Sequence, residues 1–312
     1  MPKGILIDCD AGIDDALGIM LALGSEEVEV RAITTVAGNA ELEKTSENAL
    51  KVLEAFDISN IPVACGHARP LKRQLYTAGY VHGSDGLGDA NLPKPKLRLH
   101  SHHAVDLMVA EAEYGDLHLV CTGPLTNLAS ALEKAPHIVE KLQDVTIMGG
   151  AFGLTQYGFG NVTPVSEFNM YVDPEAAKMV FASGLRLTVV GLDVTTDPAA
   201  TLTRDRYERL VAQTSRGARF LKRIAGNLIK TWGSFSLHDP MAIAYIVDPS
   251  LLVVKEYPVD VETDGTITRG QTIADRRPWS EVVEFKGRAE VAVSVDGPRF
   301  LRLFEERAIR KL

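Results

Sequence analysis

The chain has 312 residues, 46% hydrophobic and 24% charged, enough for one large domain or two modest ones and with little room for long disordered segments. Its 33 Lys+Arg against 41 Asp+Glu give a formal charge of −8 with no basic block, which excludes nucleic-acid backbone binding as its main task. The three cysteines, Cys9, Cys65 and Cys121, sit far apart in apolar runs and read as buried thiols in a reducing compartment, not as a disulfide framework or zinc site. Met1-Pro2-Lys3-Gly4 passes through a short apolar stretch straight into aspartates, unlike a signal peptide, and no run approaches the ~20 apolar residues of a membrane span. A soluble, cytoplasmic protein is expected.

In chain order, short β-branched runs alternate with segments of helical periodicity. Strands are predicted at Gly4 to Asp10, Val28 to Val36, Ile61 to Cys65, Leu117 to Cys121, Val145 to Met148 and Leu187 to Leu192. Helices are predicted at Asp14 to Leu23, Glu41 to Phe56, His102 to Tyr114, Leu125 to Lys134 and Pro174 to Ser183, the last opened by Asp173-Pro174-Glu175. Beyond about residue 200 the pattern gives helices at Arg204 to Gln213, Arg216 to Thr231 and Asp239 to Ile246. Strands and turns follow from Leu251 to Val295, with Thr263-Asp264-Gly265 as a hairpin turn, and an amphipathic helix closes the chain at Pro298 to Lys311. The expected architecture is α/β: an open, mostly parallel sheet of Rossmann-like type flanked by helices, with a small peripheral C-terminal β element. Residues 1–312 read as a single domain, without internal repeats or linkers.

Where the first apolar strand meets the first helix, Asp8, Asp10, Asp14 and Asp15 fall within eight residues. In an open α/β sheet, ligands bind at the carboxyl ends of the strands. Period-two alternation puts Asp8 and Asp10 on one face, and Asp14 and Asp15 stand at a helix N-terminus. The helix dipole offers only ~0.3–1 kcal/mol per carboxylate, too little to hold four like charges beside a buried strand. Caps and surface acids are the bland reading; a divalent cation supplies the missing counter-charge. With oxygen donors alone, the ion is hard, Ca²⁺ or Mg²⁺. An EF-hand fails the spacing, because Gly12 and Ile19 occupy its fifth and twelfth positions. The pair Asp8 and Asp10 also fits a phosphatase of the haloacid-dehalogenase type, which would use Asp8 as nucleophile with Mg²⁺, although Gly12 stands where that motif has Thr.

The stretch Asp8-Cys9-Asp10-Ala11-Gly12-Ile13-Asp14-Asp15-Ala16 resembles the signature of the nucleoside hydrolases, the inosine-uridine-preferring nucleoside N-ribohydrolase family. Thr35 to Asn39, Cys121 to Leu128, Met148-Gly149-Gly150, Glu167-Phe168-Asn169, Asp173 to Ala177 and His238-Asp239-Pro240 follow in family order, over roughly residues 5 to 245.

The resemblance implies a Ca²⁺ ion held by Asp10, Asp15, the carbonyl of Thr122, Asp239 and the ribose diol. It implies hydrolysis of the N-glycosidic bond to free base and ribose, in nucleoside salvage, with metal-bound water activated by Asp10 as base. Asp14 and Asn39 would hold ribose hydroxyls; Asn161, Glu167 and Asn169 would fix the 5′ and 3′ side, beside Met148 and Phe168. His238 would neutralise the leaving base, and His82 resembles the family's histidine on a base-facing loop. Such enzymes are commonly homodimers or homotetramers acting on a small-molecule ribonucleoside.

The chain departs from the family in having Ala11 in place of proline, a longer loop from Ala151 to Ser166, and no tyrosine in Ile224 to Thr231, where only Trp232 follows as a large aromatic. His238 favours the inosine/uridine type over a purine-specific type clamped by tryptophans, since Trp232 and Trp279 are the two present. A non-catalytic nucleoside-binding protein is the remaining alternative. Gly83 to Gly88 and Gly153 to Asn161 read as mobile loops over the cavity. His100, His102 and His103 read as solvated or capping residues.

Overall fold

A computed structural model describes residues 1–278 and 284–312. In chain order it runs β1 (Lys3–Cys9), α1 (Ile13–Leu23), β2 (Val28–Thr35), α2 (Leu42–Ala55), β3 (Val63–Cys65), a short α3 (Gly79–His82), α4 (Ala104–Tyr114), β4 (Leu117–Cys121), α5 (Thr126–Lys134) and β5 (Leu142–Met148). Next come α6 (Phe168–Val172), α7 (Pro174–Phe181), β6 (Leu187–Val190), the helical turn α8 (Leu192–Thr195), β7 (Thr201–Thr203), α9 (Arg204–Val211) and α10 (Arg216–Trp232). The chain ends with β8 (Ser234–Ser236), α11 (His238–Val247), β9 (Leu252–Val261), β10 (Thr272–Ala274), β11 (Gly287–Val295) and α12 (Gly297–Phe304), which widens into a π-helical turn at Glu305–Arg310.

Nine strands form one sheet in the order β3-β2-β1-β4-β5-β6-β11-β9-β10. It is parallel from β3 through β11, while β9 and β10 at the far edge run antiparallel. The C-terminal β element therefore extends the main sheet at its edge. Strand order reverses between β1 and β4: the chain builds outward through β2 and β3 on one side, then through β4, β5 and β6 on the other. That switch point opens a crevice at the carboxyl ends of the strands.

β1 is buried on both faces, and its alternation sorts the cores. Ile5, Ile7 and Cys9 join the core under α1, α10 and α11, while Leu6 joins the core under α4, α5 and α7. Helix α1, buried from Ile13 to Ala22, packs against β2 and α11, and α11 also packs on β5. No helix of the described residues is long and apolar enough to cross a membrane.

Several local expectations change. The strand expected to reach Leu192 stops at Val190, because Gly191 caps α8. β9 and β10 do form a hairpin, but through residues 262–271 and not a tight turn at Thr263-Asp264-Gly265; Glu262 Oε1 accepts from the N–H groups of Asp264 and Gly265, and Gly270, at φ +74°, makes the reversal. Cys65 is half-buried, since β3 is a short edge strand, whereas Cys9 and Cys121 are buried. His103 caps α4 through Nδ1, and Asp173 caps α7. The ribbon β7–β8 was not anticipated.

Candidate active site

The crevice holds a cavity of about 310 Å³, the size of a small-molecule site. The site residues stand at the ends of elements. Asp10 follows β1; Asp14 and Asp15 open α1; Asn39 follows β2; Thr122 follows β4; Met148 ends β5; Asp239 opens α11. Asp14, Asn39, Thr122, Met148 and Asp239 line the cavity, whereas Asp10 and Asp15 are not among its lining residues.

The acids are fixed by donors from three loops. Asp15 Oδ2 accepts from Gly12 N–H at 2.8 Å and Asn39 Nδ2 at 3.1 Å, and its Oδ1 accepts from Thr122 Oγ1 at 2.8 Å. Asp10 Oδ2 accepts from Asn39 N–H at 2.7 Å, and its Oδ1 is buried without a partner, as is Asp14 Oδ1. Oxygens of Asp14, Asp15 and Asp239 all lie within 4.8 Å of one another. The backbone must come close here: a Cβ on Gly12 would stand 2.6 Å from His82 Nδ1, and one on Gly38 would stand 2.1 Å from Asp10 Oδ2.

Burial drives the acids' titration upward. Asp14 is pushed up to about 8 by desolvation and by the charge of Asp15, and Asp10 and Asp239 are raised well above the carboxylate range for the same two kinds of reason. Asp15 is raised by burial against its hydrogen bonds. A buried ion costs several kcal/mol, more than the ~0.3–1 kcal/mol that the α1 dipole returns.

Asp8 differs from the other three. Its Oδ1 accepts from Thr34 Oγ1 at 2.6 Å and Asn127 Nδ2 at 2.8 Å, its Oδ2 is buried without a partner, and burial raises it to about 7. β1 ends at Cys9, so the alternation that placed Asp8 and Asp10 together does not continue.

The opposite wall comes from α6. Glu167 caps that helix, accepting from Asn169 and Met170 N–H and, across the crevice, from Gly150 N–H at 3.0 Å. Asn169 Nδ2 donates to the carbonyls of Thr122 at 2.9 Å and Met148 at 3.1 Å. The Thr122 carbonyl keeps a second lone pair. Asn161 and Phe168 line the same wall.

His82, His238 and Trp232 also line the cavity, with Tyr80 and Phe235, which the sequence does not mark. Tyr80 and Trp232 are 60% and 64% exposed, an arrangement suited to receiving a flat ring. Phe235 comes from β8, a strand too short to carry a legible alternation. The glycine loop after His82 is tied down, by Asn48 Nδ2 to Asp85 O at 2.9 Å and Asn227 Nδ2 to Gly88 O at 2.9 Å. Trp279 lies outside the described residues.

Comparison with known proteins gives a consistent answer. Residues 5–302 match the family model described as inosine-uridine preferring nucleoside hydrolase. The inosine-uridine preferring nucleoside hydrolase of Leishmania major is 39% identical over 312 residues, 96% of this chain and 95% of that protein. A pyrimidine-specific ribonucleoside hydrolase of Shigella boydii is 39% identical over 98% of each chain. The solved structure of a purine-preferring ribonucleoside hydrolase from Gardnerella vaginalis superposes with a TM-score of 0.90 at 34% identity, covering 99% of each chain.

The chain belongs to the inosine-uridine preferring nucleoside hydrolase family. It is a nucleoside N-ribohydrolase, which acts on small-molecule nucleosides. The nucleoside hydrolases are metal-dependent, and the donor set fits a hard cation: oxygen ligands only, crowded, buried, and with the unpartnered oxygens of Asp10 and Asp14 facing no protein donor. Both histidines are shifted to the neutral side by burial, His82 to about 3 with a contribution from His238, and His238 to about 4.

Proposed function

We propose that this nucleoside hydrolase is Ca²⁺-dependent and cleaves inosine- and uridine-type ribonucleosides in salvage, with Asp10 as base and His238 at the leaving group. The observation that carries the reading is one cavity lined by Asp14 and Asp239 of the acid cluster, by His82 and His238, and by the exposed Tyr80 and Trp232. Asp15 and Asp239, which cluster with Asp14, would hold the ion, and Asp10 and the Thr122 carbonyl would complete its shell. Bound there, Ca²⁺ supplies Lewis acidity and anchors the sugar diol.

The chain's own groups do the rest. Asp14, Asn39 and Asn169 bind ribose hydroxyls, with Asn161 and Glu167 toward the 5′ side, and so orient C1′. Phe168 and Met148 give the sugar an apolar wall. Asp10 takes a proton from the attacking water while the C1′–N bond breaks through an oxocarbenium-like state. The bond's electron pair leaves with the base, where His238 meets it; the proton that completes the neutral base balances the one the water lost. The carboxylates offset the positive charge on the ring. Trp232 and His82 face the base.

Asp8 Oδ1 is taken up by hydrogen bonds from Thr34 and Asn127, which supports this reading over a phosphohydrolase with Asp8 as nucleophile. The single-domain reading rests on one sheet that takes strands from both ends of the chain. We also propose a cytoplasmic homodimer or homotetramer.

The test is release of ribose from inosine, uridine, cytidine, adenosine and guanosine, with and without chelator. Release abolished by chelation and restored by Ca²⁺ is expected, fastest for inosine or uridine. Release from purine nucleosides alone would establish the purine-specific type. Phosphate release from an ester with Mg²⁺ and no ribose would overturn the proposal, and binding without turnover would leave a nucleoside-binding protein.

A further inference from the structure

His238 is the first residue of α11, and its Nδ1 lies 2.8 Å from the hydroxyl oxygen of Thr195. Thr195 ends α8 and is fully buried; among the described residues its hydroxyl has no other hydrogen-bond partner. A buried hydroxyl proton left without an acceptor is costly, so Thr195 donates and Nδ1 accepts. A neutral imidazole that accepts at one ring nitrogen carries its proton on the other. With Nδ1 tied to the core, Nε2–H is the edge left for the cavity that His238 lines.

The backbone makes this contact stiff. Leu192 N–H donates to Gly150 O at 2.8 Å, which fastens α8 to the loop after β5, and Thr195 N–H donates to Gly191 O at 3.1 Å. His82 is built on the same plan, its Nδ1 accepting from Ile13 N–H at 3.1 Å. Both histidines thus face the leaving base with Nε2–H.

We infer that Thr195 is a positioning residue for hydrolysis: its hydroxyl fixes the ring of His238 so that Nε2–H points at the nitrogen of the departing base. This rests on the reading of His238 given above. When the C1′–N bond breaks, its electron pair goes to the base nitrogen, which accepts a hydrogen bond from Nε2–H; His238 keeps that proton, and the proton that completes the neutral base comes from the water consumed in the hydrolysis. Thr195 itself touches no substrate.

The experiment compares Thr195→Val, which keeps the shape and removes the hydroxyl, with Thr195→Ser, which keeps the hydroxyl. Each Ca²⁺-loaded protein is assayed on its best nucleoside and on p-nitrophenyl β-D-ribofuranoside, whose phenolate leaves without help. Thr195→Val is expected to lose at least about 10-fold in kcat on the nucleoside, with KM little changed and the aryl riboside spared, and Thr195→Ser to recover most of the loss. Histidine-selective ¹⁵N NMR supplies a readout without turnover: the Nε2–H tautomer of His238 is expected in the unaltered protein and lost in Thr195→Val.

Equal losses on both substrates, or an unchanged tautomer and rate, would overturn the inference and leave Thr195 a packing residue. His238→Ala separates the two failures. A selective nucleoside loss in His238→Ala that Thr195→Val does not share defeats the Thr195 inference alone. No selectivity in His238→Ala defeats the reading of His238 itself.

Discussion

Asp10 has one carboxylate oxygen held by the N–H of Asn39 and another, buried, with no partner. Asp10→Asn preserves the shape and an acceptor for Asn39 but cannot take a proton. A fall in kcat of about 10²–10⁴-fold at saturating Ca²⁺, with a near-normal melting temperature, is expected from ribose-release assays; turnover close to the unaltered enzyme would remove Asp10 as base. Gly38 tests the same carboxylate from its other side. An alanine Cβ 2.1 Å from Asp10 Oδ2 must push it off Asn39, costing ~1–3 kcal/mol in thermal melts together with much of the activity. Asp10, Asp14 and Asp15 were legible in the sequence because like charges crowd there without counter-charge. Asp239 and His238 were legible only through their motif, and Tyr80 and Phe235 not at all, since a single aromatic in a loop or short strand carries no pattern.

At the scale of elements, α8 is a four-residue turn with two tasks. Thr195 meets His238, and Asp193 accepts from the N–H groups of Phe152 at 2.8 Å, Leu154 at 2.6 Å and Thr155 at 3.2 Å, the start of the long loop that carries Asn161. Asp193→Ala leaves those donors without their acceptor, a penalty of ~1–3 kcal/mol for each that stays buried. Faster hydrogen exchange at Phe152 to Thr155 and a raised KM are expected, with kcat less affected; unchanged exchange would show that the loop is held elsewhere. The parallel strands were legible because burial on both faces writes them as β-branched runs. β7 and β8, three residues each, fell below the length at which alternation is readable.

For the whole molecule, the raised acids couple folding, protons and metal. Without an ion, the folded protein holds protons on Asp10, Asp14, Asp15 and Asp239 that the unfolded chain has released above about pH 4. Stability therefore falls as pH rises through the folded-state range, by up to ~1.4 kcal/mol per pH unit for each proton concerned. On the proposed reading, Ca²⁺ would bind the deprotonated set, so its stabilisation would grow with pH and reach ~2.7 kcal/mol at a hundred-fold excess over Kd. Melting curves from pH 5 to 8, with chelator and with Ca²⁺, should diverge upward in pH. Parallel curves would show that these acids do not form the ion's site.

By itself the sequence determined the alternation of strand and helix, the placing of Asp10 to Asp15 at a strand end, the order of motifs that carries the family, and a hard-cation donor set. These are local, since period, spacing and charge density survive in one dimension. Only the tertiary structure gave Asp8 its own partners, Thr34 from the paired strand β2 and Asn127 from α5. Only the packing of α11 against α1 brought Asp239, 224 residues from Asp15, within reach of it. The pairing of Thr195 with His238 joins two elements that no periodicity connects, and packing between α8 and α11 alone decides it.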